Sequence, residues 1–405
     1  MRQVLVYLFE QKTKNTKEAC LMNNYTSIFG QILSFLPRNQ FDHLAHQTGA
    51  VRNIKGFSCW DQFVAMLFCQ LGQCHSLREI CAGLAASQGK LKHLGLFHAP
   101  KRSTLSYANS HRSWEFYQAL FEQLLSFCRE QMHPRHKFRF KNKLYSFDAS
   151  TIQLCLTLFD WAKFRRSKGA IKLHMLLDHA GYLPQFLHVS DGKRHEVNVL
   201  RNLSFTKGTI IAIDKGFVDY DLFANWTCNG VYFVTPLKDN AKYSVSESRS
   251  IRNRFQSFIL YDQIIQLTNP ACPYPLRLVT VWRPDKNDTI QLLTNNLKLA
   301  ASTISSVYKD RWQIEIFFRT IKQNLRIKTF IGTSFNAVMT QIWSALIAIL
   351  ILKYLKFKSS IDWSLSNLVA LLRLNLLTYK SLWDWLNNPY QNLSPPVDGT
   401  QLCLL

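Results

Sequence analysis

The sequence predicts an α/β protein in which a sheet-forming central region lies between helical regions. Three observations support this fold class. Residues 24–128 carry apolar side chains at helical spacing, residues 144–237 contain short β-branched runs bounded by turns, and residues 301–331 contain neither glycine nor proline. Strands followed by helices, with further β-like segments between them, are typical of an α/β core.

The charge of the chain points to a polyanionic partner. Its 405 residues suffice for two or three domains, and a composition of 47% hydrophobic and 13% aromatic residues excludes a disordered protein. Forty-nine Lys and Arg residues against 26 Asp and Glu residues give a net charge of +23. Such an excess indicates a surface that binds nucleic acid, with an anionic membrane face as the alternative.

The ten cysteines and the most apolar run indicate an intracellular protein without a membrane span. The sequence contains no Cys-x-x-Cys pair, so we expect buried thiols in a reducing cytosol, with zinc at Cys69, Cys74 and Cys81 as the alternative. The first twenty residues lack the apolar core of a signal peptide. Residues 342–352 are too few to span a bilayer and predict a buried helix.

The N-terminal region predicts a helical domain. WDQFVAMLFCQL (60–71) and WEFYQALFEQLLSFC (114–128) have helical apolar spacing. Between them, HAPKRSTLSYANSHR (98–112) places a proline and basic residues before a short helix, a pattern that suits contact with a phosphate backbone or a groove. We therefore predict a poorly ordered extension over 1–23, a helical DNA-binding domain over 24–132 and a basic connector over 133–143.

The next region predicts strands. A helix near 217–226 precedes the last of the apolar runs, and residues 240–295 predict a β-rich insertion before the segment that begins at residue 301. We assign 144–356 to a second domain and 357–405 to a C-terminal helical region and tail. The predicted strands are LYSFD (144–148), TIQLCLTL (151–158), KLHMLLD (172–178), TIIAID (209–214) and VYFVTPL (231–237).

The stretch YKDRWQIEIFFRTIKQNL (308–325) predicts a helix with one unusual face. At about 100° per residue, its polar signature residues fall within an arc of roughly 60°. A solvated charged face is the alternative interpretation, but a single carboxylate among cations and a phenol indicates a function. The polar face contains Tyr308, Arg311, Glu315 and Lys322, extended by Arg319 and Arg326, whereas Ile314, Phe317, Phe318, Ile321 and Leu325 face a core.

Two aspartates are candidate partners for Glu315. Asp148 and Asp214 end predicted strands, and such side chains project to the sheet edge where ligands collect in open α/β folds. Each could instead be an ordinary turn residue that terminates its strand. Three carboxylates in a basic protein suit a pair of Mg²⁺ ions, which bind carboxylate and phosphate oxygens.

These residues together resemble a known family. The order Asp148, Asp214, Glu315, with Tyr308-x2-Arg311-x3-Glu315-x6-Lys322, is similar to the catalytic set of bacterial insertion-sequence DDE transposases, and more narrowly of the insertion-sequence-four family. The resemblance covers roughly residues 140–356. It extends to FDAST (147–151), FRRSKGAIKLHMLLDHAGYLP (164–184) and IDKGFVDYDLF (213–223).

The resemblance implies a fold, an activity and roles for residues. It implies a ribonuclease H-like catalytic core with a β-rich insertion, preceded by an all-helical DNA-binding region and followed by helices. It also implies strand transfer on double-stranded DNA, at the element ends and the target, by a homodimer assembled on DNA in the bacterial cytoplasm. Two Mg²⁺ ions, with Mn²⁺ as a substitute, would be held by Asp148, Asp214 and Glu315. The expected DNA contacts are Tyr308, Arg311, Lys322, Arg319, Lys215, Arg165 and Lys168.

The sequence departs from the family at two places. Lys215 and Phe217 stand where relatives often have Arg and Tyr, which removes a forked donor and a hydroxyl. Ile290 stands where hairpin-forming relatives have a base-holding Trp; Trp282 is the nearest substitute, although a core aromatic is the favoured interpretation.

Three alternatives stay open. His195 and Glu196 could form a second metal pair, although a structural loop contact is favoured. Asp160 and Asp178 are the replacement candidates if one carboxylate leaves the triad. The alternative functions are an inactive or regulatory basic DNA-binding protein and a related metal-dependent nuclease.

Overall fold

The computed structural model describes residues 26–390, except 53, 88, 133–136, 155–158, 160, 162, 166–167, 192–195, 252–257 and 326–329. The described residues form two compact units, one of residues 26–116 and 347–390 and one of residues 117–346. The predicted connector over 133–143 therefore falls inside the second unit. The C-terminal residues 357–390 belong to the first unit and do not form a region of their own.

The first unit is helical throughout its described part, as predicted. Serine side chains cap several of its helices, and Ser58 forms a reciprocal capping box with Asp61 at the start of α3. Phe41 packs edge-on against Trp60, with ring centroids 4.9 Å apart. Its elements are α1 (Ile28–Leu33), α2 (Arg38–Gln47), α3 (Cys59–Leu71), α4 (Leu77–Ala85), a 3-10 turn (Leu91–Leu94), α5 (Arg102–His111), the first residues of α6 (Glu115–Gln131), the second half of α11 (Phe335–Lys358), α12 (Leu365–Asn375) and α13 (Leu382–Asn387).

Helix α11 is a core helix. Among the described residues it is the one helix long and apolar enough to cross a bilayer. Because 89% of its most apolar stretch is buried inside the protein, its length reflects packing in a core. The buried helix predicted for residues 342–352 is confirmed.

The second unit is built on one ten-stranded sheet. Strands β1, β3 and β4 are antiparallel neighbours, whereas β5 and β6 run parallel to β1. The strands follow in the order β2-β3-β1-β5-β6-β10-β9-β8-β7, and β4 also pairs with β3. Their bounds are β1 Leu144–Leu154, β2 Lys163–Arg165, β3 Lys168–Asp178, β4 Leu183–Asp191, β5 Ile210–Ile213, β6 Tyr232–Pro236, β7 Tyr243–Ser248, β8 Ile259–Leu267, β9 Leu276–Arg283 and β10 Asp288–Thr294.

The strands predicted over residues 240–295 are present, and they extend the central sheet. Strand β10 pairs antiparallel with β6, and β9, β8 and β7 follow outward. The insertion therefore shares a continuous hydrogen-bonded ladder with the strands that carry the two candidate aspartates.

Helices cover both faces of the sheet. The four residues of β5 are all buried, as expected for a parallel strand between two layers. Ile211 and Ile213 pack in a cluster with α8 (Tyr220–Cys228), whereas Ile210 and Ala212 pack in a second cluster with α9 (Ala301–Asp310). Residues of even number in β1 and β5 thus face α9.

Three predicted elements are corrected. The single helix expected over 301–331 is two helices, α9 and α10 (Gln313–Asn324), because the hydrogen bonds tighten at Arg311 and Trp312 while both keep right-handed helical dihedral angles. LYSFD and TIQL belong to one strand, so Asp148 lies inside β1 and does not end it. Strands β2, β4 and β7 and the short helix α7 (Glu196–Arg201) were not predicted.

A buried ion pair connects the insertion to the segment that leads into α9. Asp262 of β8 accepts two hydrogen bonds of 2.7 Å from Arg277 of β9, and these residues are only 7% and 4% exposed. The Arg277 guanidinium also donates to the carbonyl oxygen of Leu299, just before α9 begins. The pair therefore fixes the start of the helix that carries Tyr308.

We expect Asp262→Ala to lower the free energy of unfolding by about 3–5 kcal/mol, because it leaves the Arg277 guanidinium buried without its counterion. Urea denaturation measures the effect. The control is Asp288→Ala, which breaks the partly exposed pair with Arg283 on the neighbouring strands and should cost less than about 1 kcal/mol. Equal losses in the two variants would contradict the structural role of the buried pair.

Candidate active site

Asp148 and Asp214 lie side by side where two parallel strands separate. The pairing of β1 with β5 runs from Leu144 opposite Ile210 to Phe147 opposite Ile213. The next residue on each strand is an aspartate. Both aspartates belong to the face that α9 covers, since they continue the even-numbered residues of their strands. The register of one pair of strands thus creates this juxtaposition.

The environment of Asp148 disfavours its charge. Burial raises the pKa of its carboxyl group to about 6, and the nearby charges of Glu315 and Asp214 add to the rise. A hydrogen bond from the backbone N–H of Ala149 and the charge of Arg311 act in the opposite direction. Asp214 and Glu315 are therefore close enough to influence the charge of Asp148.

The third carboxylate comes from the junction of α9 and α10. Glu315 lies in the first turn of α10 and accepts a 2.7 Å hydrogen bond from Arg311. Tyr308, in the last turn of α9, donates a 3.3 Å hydrogen bond to Asp214. Burial raises the pKa of this phenol to about 12, so it stays a neutral donor at physiological pH.

Arg311 is the buried cation of the site. The residue is only 6% exposed, and its guanidinium lies 5.3 Å from the centre of the Tyr308 ring. Burial lowers the pKa of Arg311, but the neighbouring Tyr308 and the charges of Asp214 and Glu315 raise it by a larger amount, so the net shift is upward. Among the described residues, its Nε and Nη1 atoms have no hydrogen-bond partner. Arg311 is thus buried beside Glu315 and not on an open surface.

The other predicted cations occupy different places. Lys322 donates a 2.9 Å hydrogen bond to the carbonyl oxygen of Thr151, three residues after Asp148 on β1. Arg319 is exposed and lies 6.0 Å from the ring of Trp312. Lys215 pairs with Asp239. The backbones of Arg165 and Lys168 lie in β2 and β3, but their side chains are outside the described part of the structure, as is all of Arg326.

The predicted core face of α10 is confirmed. Ile314, Phe317, Phe318, Ile321 and Leu325 are each at most 5% exposed. Their burial orients Glu315 toward the strands that carry the aspartates, because side chains on one helix keep a fixed angular relation.

Of the alternative candidates, the structure describes the side chain of Asp178, which is not part of the carboxylate cluster. Asp178 ends β3 and accepts a hydrogen bond from the backbone N–H of Ala180. Asp160 and His195 lie outside the described residues, as does the side chain of Glu196. Trp282 of β9 is partly buried opposite Thr289, whereas Ile290 packs against the cluster that contains α9.

Sequence reasoning missed two features beside the site. Trp312, between α9 and α10, is 45% exposed. Asp310, the last residue of α9, is 3% exposed and accepts a 2.6 Å hydrogen bond from His179. Residues 179 and 310 are far apart in the chain, so spacing gave no signal of this contact. The exposure of Trp312 had a signal in the sequence, because this residue lies opposite the apolar stripe of α10.

The three carboxylates offer the type of oxygen donor that divalent metal ions bind, but they are not gathered around a single point. Oxygen donors suit Mg²⁺ and Mn²⁺. The raised pKa of Asp148 reflects crowded negative charge, which a cation would relieve. In the described part of the chain, no three His, Cys, Asp or Glu side chains lie close enough together to surround one ion. Glu315 pairs with Arg311 in this arrangement.

Comparisons with known proteins match this chain to transposases. Residues 139–351 match the family described as transposase DDE domain, and residues 24–97 match a domain of unknown function, DUF4372. The chain is 31% identical to a putative transposase, y4zB, of Sinorhizobium fredii over 63% of this chain and 71% of the relative. It is 25% identical to a probable transposase for insertion sequence element IS5377 of Geobacillus stearothermophilus, over 82% of this chain and 86% of the relative.

One solved structure is also similar. It is the cryo-EM structure of a piggyBac transposase synaptic complex with hairpin DNA, which aligns with a TM-score of 0.45 and 12% identity. The alignment covers 94% of this chain and 88% of that chain.

We expect Asp148→Asn to stabilise the metal-free protein above pH 6. A carboxyl whose pKa is raised on folding destabilises the folded state as the pH rises from its unfolded pKa of 3.8 to its folded pKa of about 6. The gain should be on the order of 1 kcal/mol at pH 8, after solvent screening of a partly exposed group, and should vanish near pH 4. Thermal unfolding across this range measures it. An unchanged difference between the proteins at pH 4 and pH 8 would contradict the predicted linkage.

Proposed function

We propose a function that starts from one premise: the chain belongs to the bacterial insertion-sequence DDE transposases. On this premise, the protein catalyses metal-dependent DNA cleavage and strand transfer during transposition. One observation carries the proposal. Asp148 and Asp214 are adjacent on the face that α9 covers, and the charge of Glu315 reaches Asp148.

The topology supports a ribonuclease H-like core. Three antiparallel strands, β4, β3 and β1, are followed in the sheet by the parallel strands β5 and β6. Strands β7–β10 would then be the family's insertion between the second aspartate and the glutamate. Membership of the narrower insertion-sequence-four group rests on the spacing of Tyr308, Arg311, Glu315 and Lys322.

Asp148, Asp214 and Glu315 would hold two Mg²⁺ ions, or Mn²⁺ in their place. Such ions would activate an attacking hydroxyl and stabilise the departing oxygen at phosphorus. Tyr308 orients Asp214 through its hydrogen bond without adding a charge. Before a metal ion binds, Arg311 offsets the negative charge of Glu315 through its hydrogen bond; a bound phosphate would be a second anionic partner for this guanidinium.

Double-stranded DNA is the proposed partner, as element ends and as target. The +23 charge supports a polyanion-binding surface. Arg319 is exposed on α10, and Lys322 lies at the border between α10 and β1, where each could reach a phosphate. We further propose that two copies assemble on DNA and that the protein acts in the bacterial cytoplasm, associated with the nucleoid. Residues 24–132 are proposed to bind the element ends.

We expect Asp148→Ala, Asp214→Ala and Glu315→Ala each to abolish Mg²⁺-dependent cleavage of DNA that carries the element ends, because a two-metal site fails when a ligand is removed. A nicking assay with a parallel gel-shift measurement should show retained DNA binding. Asp221→Ala removes a 77% exposed carboxylate near the sheet and serves as the control. Cleavage at wild-type rate by one triad variant would remove that residue from the site, with Asp160 or Asp178 as the replacement candidates. Binding without cleavage by the wild-type protein would favour a regulatory DNA-binding protein.

We expect Arg319→Ala and Lys322→Ala to weaken binding to element ends and to reduce the log–log salt slope by about 0.9 for each phosphate that the variant no longer neutralises. Of the three cation variants, Arg311→Ala should lower the cleavage rate most, because this side chain is buried against Glu315. Glu315→Gln should remove cleavage and leave the slope nearly unchanged. Fluorescence anisotropy between 50 and 200 mM salt, the range over which counterion release is large, measures the slopes. The control is Lys309→Ala, an exposed residue on a different face of α9. Equal salt slopes in all variants would indicate that the polar face of α9 and α10 is only solvated and does not contact DNA.

A further inference from the structure

A buried chain of hydrogen bonds joins β1 to the end of α9. Ser146 on β1 lies 2.6 Å from Nε2 of His179, and Nδ1 of the same ring lies 2.6 Å from the Asp310 carboxylate. Ser146, His179 and Asp310 are 0%, 5% and 3% exposed. Because Ser146 is inaccessible, this serine cannot act as a nucleophile toward a substrate despite its partners.

The charged state of Asp310 determines which ring nitrogen of His179 is a donor in these hydrogen bonds. Hydrogen bonds from His179 and Lys137 hold the pKa of Asp310 below its usual range despite burial, so its carboxylate is an acceptor only. His179 therefore donates from Nδ1–H to Asp310, and when its ring is neutral, Nε2 accepts a hydrogen bond from the Ser146 hydroxyl. Tyr182 donates to both carboxylate oxygens, and Lys137 pairs with one of them from the exposed side. The buried carboxylate is fully satisfied.

The backbone of Tyr182, beside this hydrogen-bond chain, has an unusual conformation. Tyr182 has a φ of +54°, in the left-handed region that bulky residues rarely adopt. This conformation belongs to the turn between β3 and β4, from which the phenol reaches Asp310. The ring of Tyr182 also packs edge-on against His179, with centroids 5.6 Å apart. The contacts that hold this turn therefore end on the same carboxylate.

The two ends of this hydrogen-bond chain, Ser146 and Asp310, lie close in sequence to residues of the proposed metal site. Ser146 precedes Asp148 by two residues on the same face of β1, and Asp310 immediately precedes Arg311, which binds Glu315. A second connection, from Lys322 to the carbonyl oxygen of Thr151, joins α10 to β1 on the other side of Asp148. The strand and the helix pair are thus connected on both sides of the site.

We propose that Ser146, His179 and Asp310 are positioning residues that fix the α9–α10 junction against β1 and so set the place of Glu315 relative to Asp148. The proposal rests on the proposed metal-dependent cleavage and names the residues that make its geometry possible. None of the three touches a reacting atom. Their loss should act through the placement of Glu315, to which two-metal chemistry is sensitive, since misplacement by about 1 Å can cost about a hundredfold in rate.

The test uses the full chain with Ser146→Ala, Asp310→Asn and the double variant. Lys137→Gln is included because it reaches the chain from the exposed side without changing the core. The matched control is Ser344→Ala, an equally buried serine whose hydroxyl bonds within α11. For each protein we would measure thermal unfolding, affinity for end DNA, cleavage rate in Mg²⁺, and Mn²⁺ affinity by calorimetry without DNA.

We expect Ser146→Ala and Asp310→Asn to lower the cleavage rate by about 10- to 100-fold and to weaken Mn²⁺ binding, with DNA affinity changed less than about twofold. The double variant should lose no more than the worse single variant, because both break one chain. Lys137→Gln should give a smaller loss of the same kind, and Ser344→Ala should give none.

Two outcomes would overturn the proposal. One is wild-type cleavage and Mn²⁺ affinity in the folded Ser146→Ala and Asp310→Asn proteins. The other is an equal loss in Ser344→Ala, which would assign the effect to general stability. If the wild-type protein binds Mn²⁺ but cleaves no DNA, the proposed function fails, and the Mn²⁺ affinities of the variants alone decide on positioning.

Discussion

The guanidinium of Arg311 is buried beside the carboxylates, where it donates to Glu315, and the neighbouring Tyr308 and the charges of Asp214 and Glu315 raise its pKa. A carboxylate cluster of this kind repels itself, as the raised pKa of Asp148 shows. The fixed cation offsets that repulsion in the absence of metal. The position of Glu315 and the close approach of α9 to the sheet both depend on this charge balance.

The crowded carboxylates lower the stability of the folded state. Apolar packing elsewhere in the second unit compensates for this loss. The two apolar clusters on either face of the sheet hold β1 and β5 in register, and that register alone makes Asp148 and Asp214 neighbours. Phe223 of α8 stacks on Phe233 of β6 with centroids 4.0 Å apart, which secures the face opposite the carboxylates. Active sites commonly retain unfavourable charge in this way, on a scaffold that is stable elsewhere.

The sequence predicted those parts of the fold that depend on local pattern. Helical spacing located the N-terminal helices, and the apolar stripe of α10 correctly oriented Glu315 because one helix imposes its own geometry. It did not reveal that Arg311 is buried, since a cation on a polar face is solvated unless tertiary contacts enclose it. Nor could it reveal the contact of His179 with Asp310, which depends on how β3 and α9 pack. Local propensity also hid the continuity of β1 across Asp148, because the polar residues that follow suggest a turn.

The β-rich insertion has a physical consequence for Glu315. Its strands pair with β6 and continue the sheet that contains the strands of the site, so the insertion is not a separate appendage. Arg277 of β9 then holds the carbonyl oxygen of Leu299, one residue before the N-cap of α9, while Asp310 holds the other end of that helix through His179. Helix α9 is therefore fixed at both ends by buried charged groups, one paired with the insertion and one with β1. A rigid helix fixed at both ends leaves Arg311 and Glu315 little freedom to shift. The insertion thus contributes to the placement of a residue that follows it in the chain.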